Sequence, residues 1–191
     1  MAEINDPADD AHLVERQVDS EDVFVGSLLH VKRDNVLLPD GHKATREYIV
    51  HPGAVMIVPW LPDGKLLFER QFRYPHRRVF IEFPAGKIDR GEDPLATAKR
   101  ELLEETGYTA GHWTFMTTMH PLITYSTEHI DVYCADELTQ GEAKPDAGEF
   151  VETFSASLDT ALTWLDRGDI TDVKTMLGLL LLERARQKSP S

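Results

Sequence analysis

Four glutamates between residues 92 and 105 have spacings suited to binding a divalent cation: Glu92, Glu101, Glu104 and Glu105. Side chains four residues apart on a helix lie about 40° apart around its axis, so Glu101 and Glu105 project side by side. Their carboxylates supply the hard oxygen ligands that Mg²⁺ prefers. Glu104 points in another direction and is a weaker candidate for a direct ligand. The segment predicts a metal site on a helix.

Start and stop signals delimit the helix that must carry these carboxylates. Asp93 is suited to the N-cap, with Pro94 at the first helical position, and Gly107 is suited to end the helix. An adjoining apolar face, expected to anchor the helix to a core, carries Leu95, Ala98 and Leu102.

Carboxylates this close would repel one another without a compensating positive charge. Arg100 supplies one within the same helix. Glu92, in the loop before the helix, is placed to hold Arg100. A solvated acidic helix face is the alternative interpretation, and the matching positions of Glu92, Gly86 and Gly107 argue against it.

The pattern Gly86-x5-Glu92-x7-Arg100-Glu-Leu-x-Glu-Glu-x-Gly-Tyr108 matches the signature of the Nudix family at every defined position. The resemblance implies hydrolysis of the diphosphate bond of a nucleoside diphosphate derivative, with Mg²⁺ or Mn²⁺ as cofactor. It also implies an α+β fold, an α/β/α sandwich with a mixed sheet. By position, the metal ligands would be Glu101, Glu105 and the Ala85 carbonyl, with Glu104 as auxiliary ligand. Glu92 and Arg100 would be the orienting pair.

Two flanking segments, 70–73 (Arg-Gln-Phe-Arg) and 82–86 (Glu-Phe-Pro-Ala-Gly), resemble the ADP-sugar branch of this family. Its best-known members convert ADP-ribose to AMP and ribose 5-phosphate. The resemblance implies that Arg70 and Arg73 bind phosphate, which suits a planar bidentate donor. It implies that Glu82 bonds a substrate ribose. The alternatives are strand-edge charges for the arginines and a solvent-facing acid for Glu82.

The loop after the signature departs from the branch pattern Ser-Pro-Gly-x-Ser-x-Glu. Ser126 and Glu128 fit it as substrate-binding residues, but Ile123 and Thr124 replace the Pro-Gly pair. Another nucleotide sugar or a dinucleotide, such as GDP-mannose or NADH, therefore stays open, as does a nucleoside triphosphate. A non-catalytic nucleotide sensor is a different class, disfavoured because every carboxylate of the signature is kept.

Hydrolysis also needs a base that activates water. In this branch the base is a glutamate on a loop before a late strand, and the segment 144–152 fits that place. Glu149 matches best, at the start of the strand. Glu152, or an exposed loop acid without a catalytic role, is the alternative.

The charge balance limits the partners. Asp and Glu total 33 against 20 Lys and Arg, a formal net charge of −13, which disfavours binding to nucleic acid or anionic membranes. The longest apolar run, 176–182, is too short to span a bilayer. The single cysteine, Cys134, fits a reducing compartment, and a small hydrophobic role for it is favoured over a nucleophilic one. We expect a soluble, cytoplasmic enzyme acting on a small-molecule nucleotide.

The remaining pattern predicts a mixture of strands and helices in two parts. Residues 1–50 read as a small antiparallel β segment after a frayed start of about twenty residues, and the family resemblance implies that it crosses to the partner in a homodimer. Residues 51–191 read as the catalytic domain. Predicted strands there include 54–60, 65–72, 79–83, 113–120, 130–135 and 149–155, and predicted closing helices are 158–166 and 171–186.

Overall fold

The computed structural model describes residues 7–142 and 150–188. The chain divides into two compact units: one contains the described residues up to His51 together with Leu122–Glu128, and the other contains Pro52–Pro121 and the described residues from His129 onward. Within the described residues, no helix is long and apolar enough to cross a membrane.

The first unit is built on an antiparallel sheet of β1 (Arg16–Val25), β2 (His30–Leu37) and β3 (Lys43–Ile49), in the order β1-β2-β3. A 3-10 helix, Pro7–Leu13, precedes it. The expectation of a frayed start up to residue 20 was therefore wrong for this part. All ten residues of β1 are exposed, so the strand is held by backbone pairing with β2 rather than by burial of side chains.

Polar side chains reinforce the pairing of these three strands. Arg33, on the central strand, bonds Glu21 of β1 at 3.1 Å and Glu47 of β3 at 2.9 Å. Asp34 accepts bonds from Gln17 and Tyr48 in the same manner. Opposite charges on adjacent strands favour one register, and pairs as exposed as these contribute little to stability.

The second unit contains two sheets and the helices. Its strands are β4 (Ala54–Pro59), β5 (Leu66–Arg73), β6 (Arg78–Glu82), β7 (Ala85–Lys87), β8 (Tyr108–Met119), β9 (Ile130–Gln140) and β10 (Val151–Ala156); its helices are α1 (Pro94–Thr106), α2 (Leu158–Arg167) and α3 (Val173–Lys188). A short 3-10 turn, Tyr74–His76, joins β5 to β6. The predicted α+β class is confirmed.

One sheet has the order β7-β4-β9-β8, with β4 and β9 parallel and the other pairs antiparallel. This is the mixed sheet that the family resemblance implied. The other sheet, β10-β5-β6, is antiparallel. β8 and β9 are longer than their apolar residues suggest, because the backbone ladder continues from Ala135 through polar residues to the pair Tyr108 and Gln140.

Buried strand β4 separates two hydrophobic clusters. Val55 and Ile57 join Ala98 and Leu102 of α1 in one cluster. Met56 and Val58 join the other, which includes Phe68, Phe83 and Leu179. Alternate residues of a strand point to opposite faces, so β4 supports α1 on one face and the β5–β6 pair with α3 on the other.

Both ends of α1 follow the sequence signals. The Asp93 carboxylate accepts bonds from the N–H groups of Leu95 at 3.0 Å and Ala96 at 3.1 Å. Gly107 adopts a left-handed conformation with φ of 75° and donates its N–H to the Leu103 carbonyl. The predicted helix is confirmed, and its caps fix the segment that carries the carboxylates.

Candidate metal and substrate site

Arg100 organises the carboxylates of α1. Its Nη1 lies 2.8 Å from Glu101 Oε1 and 2.9 Å from Glu104 Oε2. Its Nε and Nη2 donate to the two oxygens of Glu92 at 3.0 and 2.9 Å. These bonds from Arg100, foremost among the causes, lower the pKa of Glu92 to about 2. The pairing of Glu92 with Arg100 is thus present, and it links the preceding loop to the helix.

Glu92 also holds the start of the helix. Its Oε2 accepts two further hydrogen bonds, from Thr97 Oγ1 at 2.8 Å and from the Asp89 N–H at 3.3 Å. Thr97 is fully buried. The glutamate is therefore occupied from three sides, and its surroundings suit an orienting role.

Glycine at position 86 is explained by its contact with Glu101. A Cβ built on Gly86 would lie 1.9 Å from the Glu101 Cδ, far inside van der Waals contact. The backbone of β7 therefore approaches α1 closely only because residue 86 lacks a side chain. Ala85, whose carbonyl is a predicted ligand, precedes Gly86 in β7 and pairs with Met56 of β4.

Glu105 faces the junction of β7 and β5. It is largely buried, and one of its oxygens accepts the Ala85 N–H at 3.2 Å. A second glutamate, Glu69 of β5, hydrogen-bonds Glu105. The two predicted ligands on α1, Glu101 and Glu105, are therefore both directed at the Ala85–Gly86 backbone.

Glu69 was not predicted from the sequence. Its exposed fraction is 3%, and its Oε1 has no hydrogen-bond partner among the described residues. Burial, followed by the charge of Glu82, raises its pKa to about 8. The signal that the sequence offered is an isolated acid directly after the apolar run 66–68, where a further apolar residue is expected.

Glu82 is buried and doubly held by cations. Arg73 donates from Nε and Nη2 to its two oxygens at 2.8 and 2.9 Å, and Lys174 donates to Oε2. Burial alone raises the pKa of Glu82, but the bond from Arg73 and the charge of Lys174 outweigh it, so the pKa is lowered. Glu82 lies opposite Glu69 in the β5–β6 register. Lys174 was not predicted, because it lies 92 positions from Glu82 in the sequence.

Arg70 and Arg73 lie on opposite faces of β5. Arg70 is 3.5 Å from Glu152, its cross-strand partner on β10. It lines an open hollow of about 310 Å³ with five residues: Phe72, Val79, Phe150, Val151 and Glu152. Arg73 shares its face with Glu69 and Glu82. The structure therefore brings Arg73, but not Arg70, to the side of Glu105.

Two predicted substrate residues belong to the first unit. Ser126 Oγ accepts the Glu128 N–H at 3.1 Å, and the Glu128 carboxylate lies 3.8 Å from His51. Ser126 also bridges Ile49 at the end of β3. Glu149, the predicted base, lies outside the described residues.

Cys134 has no nucleophilic character in this setting. Burial, with a smaller contribution from Asp136, raises the pKa of its thiol to about 11. The thiol is therefore protonated at neutral pH, and thiolates rather than thiols are nucleophiles.

The donors around Gly86 suit a hard divalent cation. The Glu101 carboxyl occupies the space left by the missing Cβ, and Glu105 contacts the adjoining residue Ala85, so carboxylate and carbonyl oxygens meet here. Glu104 is linked to this group through Arg100, which it shares with Glu101. Within the part of the chain that the structure describes, no three His, Cys, Asp or Glu side chains already converge as a ligand set. Arg100 holds Glu101 and Glu104 by salt bridges.

Comparison with known proteins gives consistent results. A family model described as the NUDIX domain matches residues 50–177. Over 173 residues the chain is 37% identical to the ADP-ribose pyrophosphatase of Bacillus subtilis (strain 168), covering 90% of this chain and 94% of that protein. It is 34% identical over 171 residues to the methanol dehydrogenase activator of Bacillus methanolicus, covering 88% and 92%. A crystal structure of an ADP compounds hydrolase superposes with a TM-score of 0.81 at 24% identity, covering 91% and 94% of the two chains.

Proposed function

Since the chain belongs to the Nudix hydrolase family, we propose that it hydrolyses the diphosphate bond of ADP-ribose to give AMP and ribose 5-phosphate. One observation carries the proposal: a cation suited to phosphate and a predicted metal ligand meet in one buried network. Arg73 is bonded to Glu82, Glu82 lies opposite Glu69, and Glu69 bonds Glu105. The relative named ADP-ribose pyrophosphatase supports the choice of substrate.

The metal site of this proposal consists of Glu101, Glu105 and the Ala85 carbonyl, with Glu104 as auxiliary ligand. Their all-oxygen chemistry suits Mg²⁺, and Mn²⁺ as a substitute. When bound, the cation neutralises diphosphate charge and polarises the phosphorus. Arg100 holds Glu101 and Glu104 in place until then. The Glu92 pair fixes Arg100 in turn.

Arg73 binds the diphosphate. Its Nε and Nη2 are engaged by Glu82, while the remaining N–H groups have no partner among the described residues. Its side chain is 42% exposed although Glu82 is buried. Glu82 therefore fixes the orientation of the guanidinium, and its remaining N–H donors stay available to a ligand, which suits recognition of a phosphate. We assign Glu82 to holding Arg73 rather than to the ribose, because cations already occupy both of its oxygens.

Proton transfer is assigned to Glu149. It removes a proton from the attacking water, the water oxygen joins one phosphorus, and the bond from that phosphorus to the bridging oxygen breaks, so that AMP and ribose 5-phosphate separate. The assignment rests on the position of Glu149 before β10. Glu152 is less suited, because it shares the face of Arg70. Ser126 and Glu128 are proposed as further substrate contacts on the first unit.

The N-terminal β segment predicted from the sequence, residues 1–50, is proposed to form a homodimer. Its described part exposes several large apolar side chains: Val18, Val23, Phe24, Val25, Leu28 and Leu29. Exposed apolar side chains so close together in the sequence support an association surface here. Phe24→Asp should shift the mass measured by light scattering from dimer to monomer, whereas His42→Asp, at an exposed turn, should leave it unchanged. A monomeric wild-type protein would contradict the proposal.

The substrate is tested by incubating the protein with Mg²⁺ and separating the nucleotide products by ion-exchange chromatography. The panel holds ADP-ribose, GDP-mannose, NADH, a diadenosine polyphosphate and a dNTP, each with an EDTA control. We expect AMP from ADP-ribose at the highest kcat/KM, with no product in EDTA. Faster turnover of another compound would reject ADP-ribose and keep the Nudix chemistry. No turnover of any compound would favour a nucleotide sensor.

A further inference from the structure

The first turn of α3 contacts the strand that ends at Glu82. Lys174 donates to Glu82 Oε2 and, at 2.9 Å, to Asp172 Oδ2. Asp172 in turn accepts the N–H of Thr175 at 3.0 Å and its hydroxyl at 2.7 Å. Charges therefore alternate along a chain from Asp172 through Lys174 and Glu82 to Arg73.

Three of these four charged side chains are sheltered from solvent. The side chains of Lys174, Asp172 and Glu82 are 12%, 17% and 4% exposed. Only Arg73 emerges from the network. Hydrogen bonds between charged groups are strong at low solvent exposure, and loss of one partner leaves the other charge uncompensated.

The helix that carries Lys174 is seated tightly against β6. The Phe83 N–H donates to Thr175 Oγ1 at 2.9 Å, and Thr175 is fully buried. Further along α3, a Cβ on Gly178 would lie 3.0 Å from the Phe83 ring. Thr175 follows Lys174 in the sequence and Phe83 follows Glu82. The bond between Thr175 and Phe83, and the packing of Gly178 on the Phe83 ring, therefore fix Lys174 relative to Glu82.

We infer that Lys174 is a positioning residue for substrate binding, which acts through Glu82 on Arg73. It has two effects. It fixes the Glu82 carboxylate so that the guanidinium of Arg73 has one orientation. It also offsets the charge of Glu82, so that the positive charge of Arg73 remains available to an anionic diphosphate. The inference rests on the proposed function only in taking Arg73 as the phosphate-binding group.

Lys174→Met tests the inference, because it keeps the length of the side chain and removes its charge. We expect KM for ADP-ribose to rise about tenfold or more while kcat stays within about threefold, since a charge-assisted bond that supports binding is lost. Lys174→Arg should restore much of the affinity. Arg184→Met, at an exposed position of the same helix, is the matched control and should change neither constant.

A double variant separates positioning from general stability. If Lys174 acts through Glu82, the effect of Lys174→Met on KM should largely disappear in a Glu82→Gln background. Equal effects in both backgrounds would overturn the inference, as would an unchanged KM in the single variant. Thermal melting identifies variants that fail to fold. If Lys174→Met is one of them, the KM of Lys174→Arg decides: a KM close to that of wild type supports the inference, and a KM raised about tenfold or more overturns it.

An NMR measurement decides the inference independently of activity. The side-chain Nε–H signal of Arg73, identified by its loss in Arg73→Lys, should shift or broaden in Lys174→Met and stay in place in Arg184→Met. If wild type fails to hydrolyse ADP-ribose, the proposed function is wrong, yet a displaced Arg73 signal still supports the positioning role. An unchanged Arg73 signal overturns the role even if the enzyme is active.

Discussion

The carboxyl group of Glu101 lies over the α-carbon of Gly86, in the space that a Cβ would fill. Gly86→Ala should displace Glu101 and lower kcat about 10–100-fold, because small displacements of reacting groups have effects of this size. Gly64→Ala is the control. Among the described residues, no atom lies within 4 Å of the place that a Cβ on Gly64 would take, but the φ of Gly64 is 78°. The Gly64→Ala variant should therefore lose about 1 kcal/mol of stability and keep a normal kcat. Normal turnover of Gly86→Ala would contradict the assigned ligand geometry.

Glu105→Gln should lower kcat at least about 100-fold with little change in thermal stability in EDTA, because the amide binds Mg²⁺ poorly. The amide can keep the bond from the Ala85 N–H. The measurement is kcat over a Mg²⁺ titration, beside a calorimetric melt. Turnover close to wild type at any Mg²⁺ concentration would remove Glu105 from the metal site.

Arg73→Ala and Arg70→Ala form a matched pair on one strand. Arg73→Ala should raise KM for ADP-ribose about 10–100-fold, because a guanidinium that bonds phosphate is lost. Arg70→Ala should change KM less than about threefold, since its partner Glu152 is exposed. Equal effects on KM would show that the opposite faces of β5 do not separate their roles.

The stability advantage of the metal-free Glu69→Gln variant over metal-free wild type should grow as pH rises. The Glu69 pKa is raised from 4.5 to about 8, so between these values the folded state keeps a proton that the unfolded chain releases. Wild-type stability therefore falls across this window and changes no further from Glu69 above it. Glutamine has no such dependence. The Tm difference between variant and wild type, measured in EDTA from pH 5 to 9, should grow up to about pH 8; parallel curves would refute the raised pKa.

The sequence predicted the elements whose signals are local. The bounds of α1 follow from Asp93 and Gly107, and the Glu92–Arg100 pair follows from spacing within one segment. These signals act between residues that are neighbours in the chain, so the rest of the fold does not alter them.

Contacts between distant segments were not predictable in the same way. Glu69, Glu82 and Lys174 meet only after β5, β6 and α3 are packed, and no spacing in the sequence encodes that meeting. The separation of Arg70 from Arg73 is a different case. Residues three apart on a strand point to opposite faces, so alternation contained this information before the structure was known.

The parallel pairing of β4 with β9 sets the order in which the enzyme can assemble. Ala54 lies opposite Ile130, so this central pair closes a long loop that contains α1 and the strands before it. Closing a long loop loses chain entropy before contacts offset it, and folds rich in such contacts fold slowly. A nascent chain that ends before β9 therefore has the complete signature segment but lacks the central strand that completes its sheet, and activity should appear only after β9 has been synthesised.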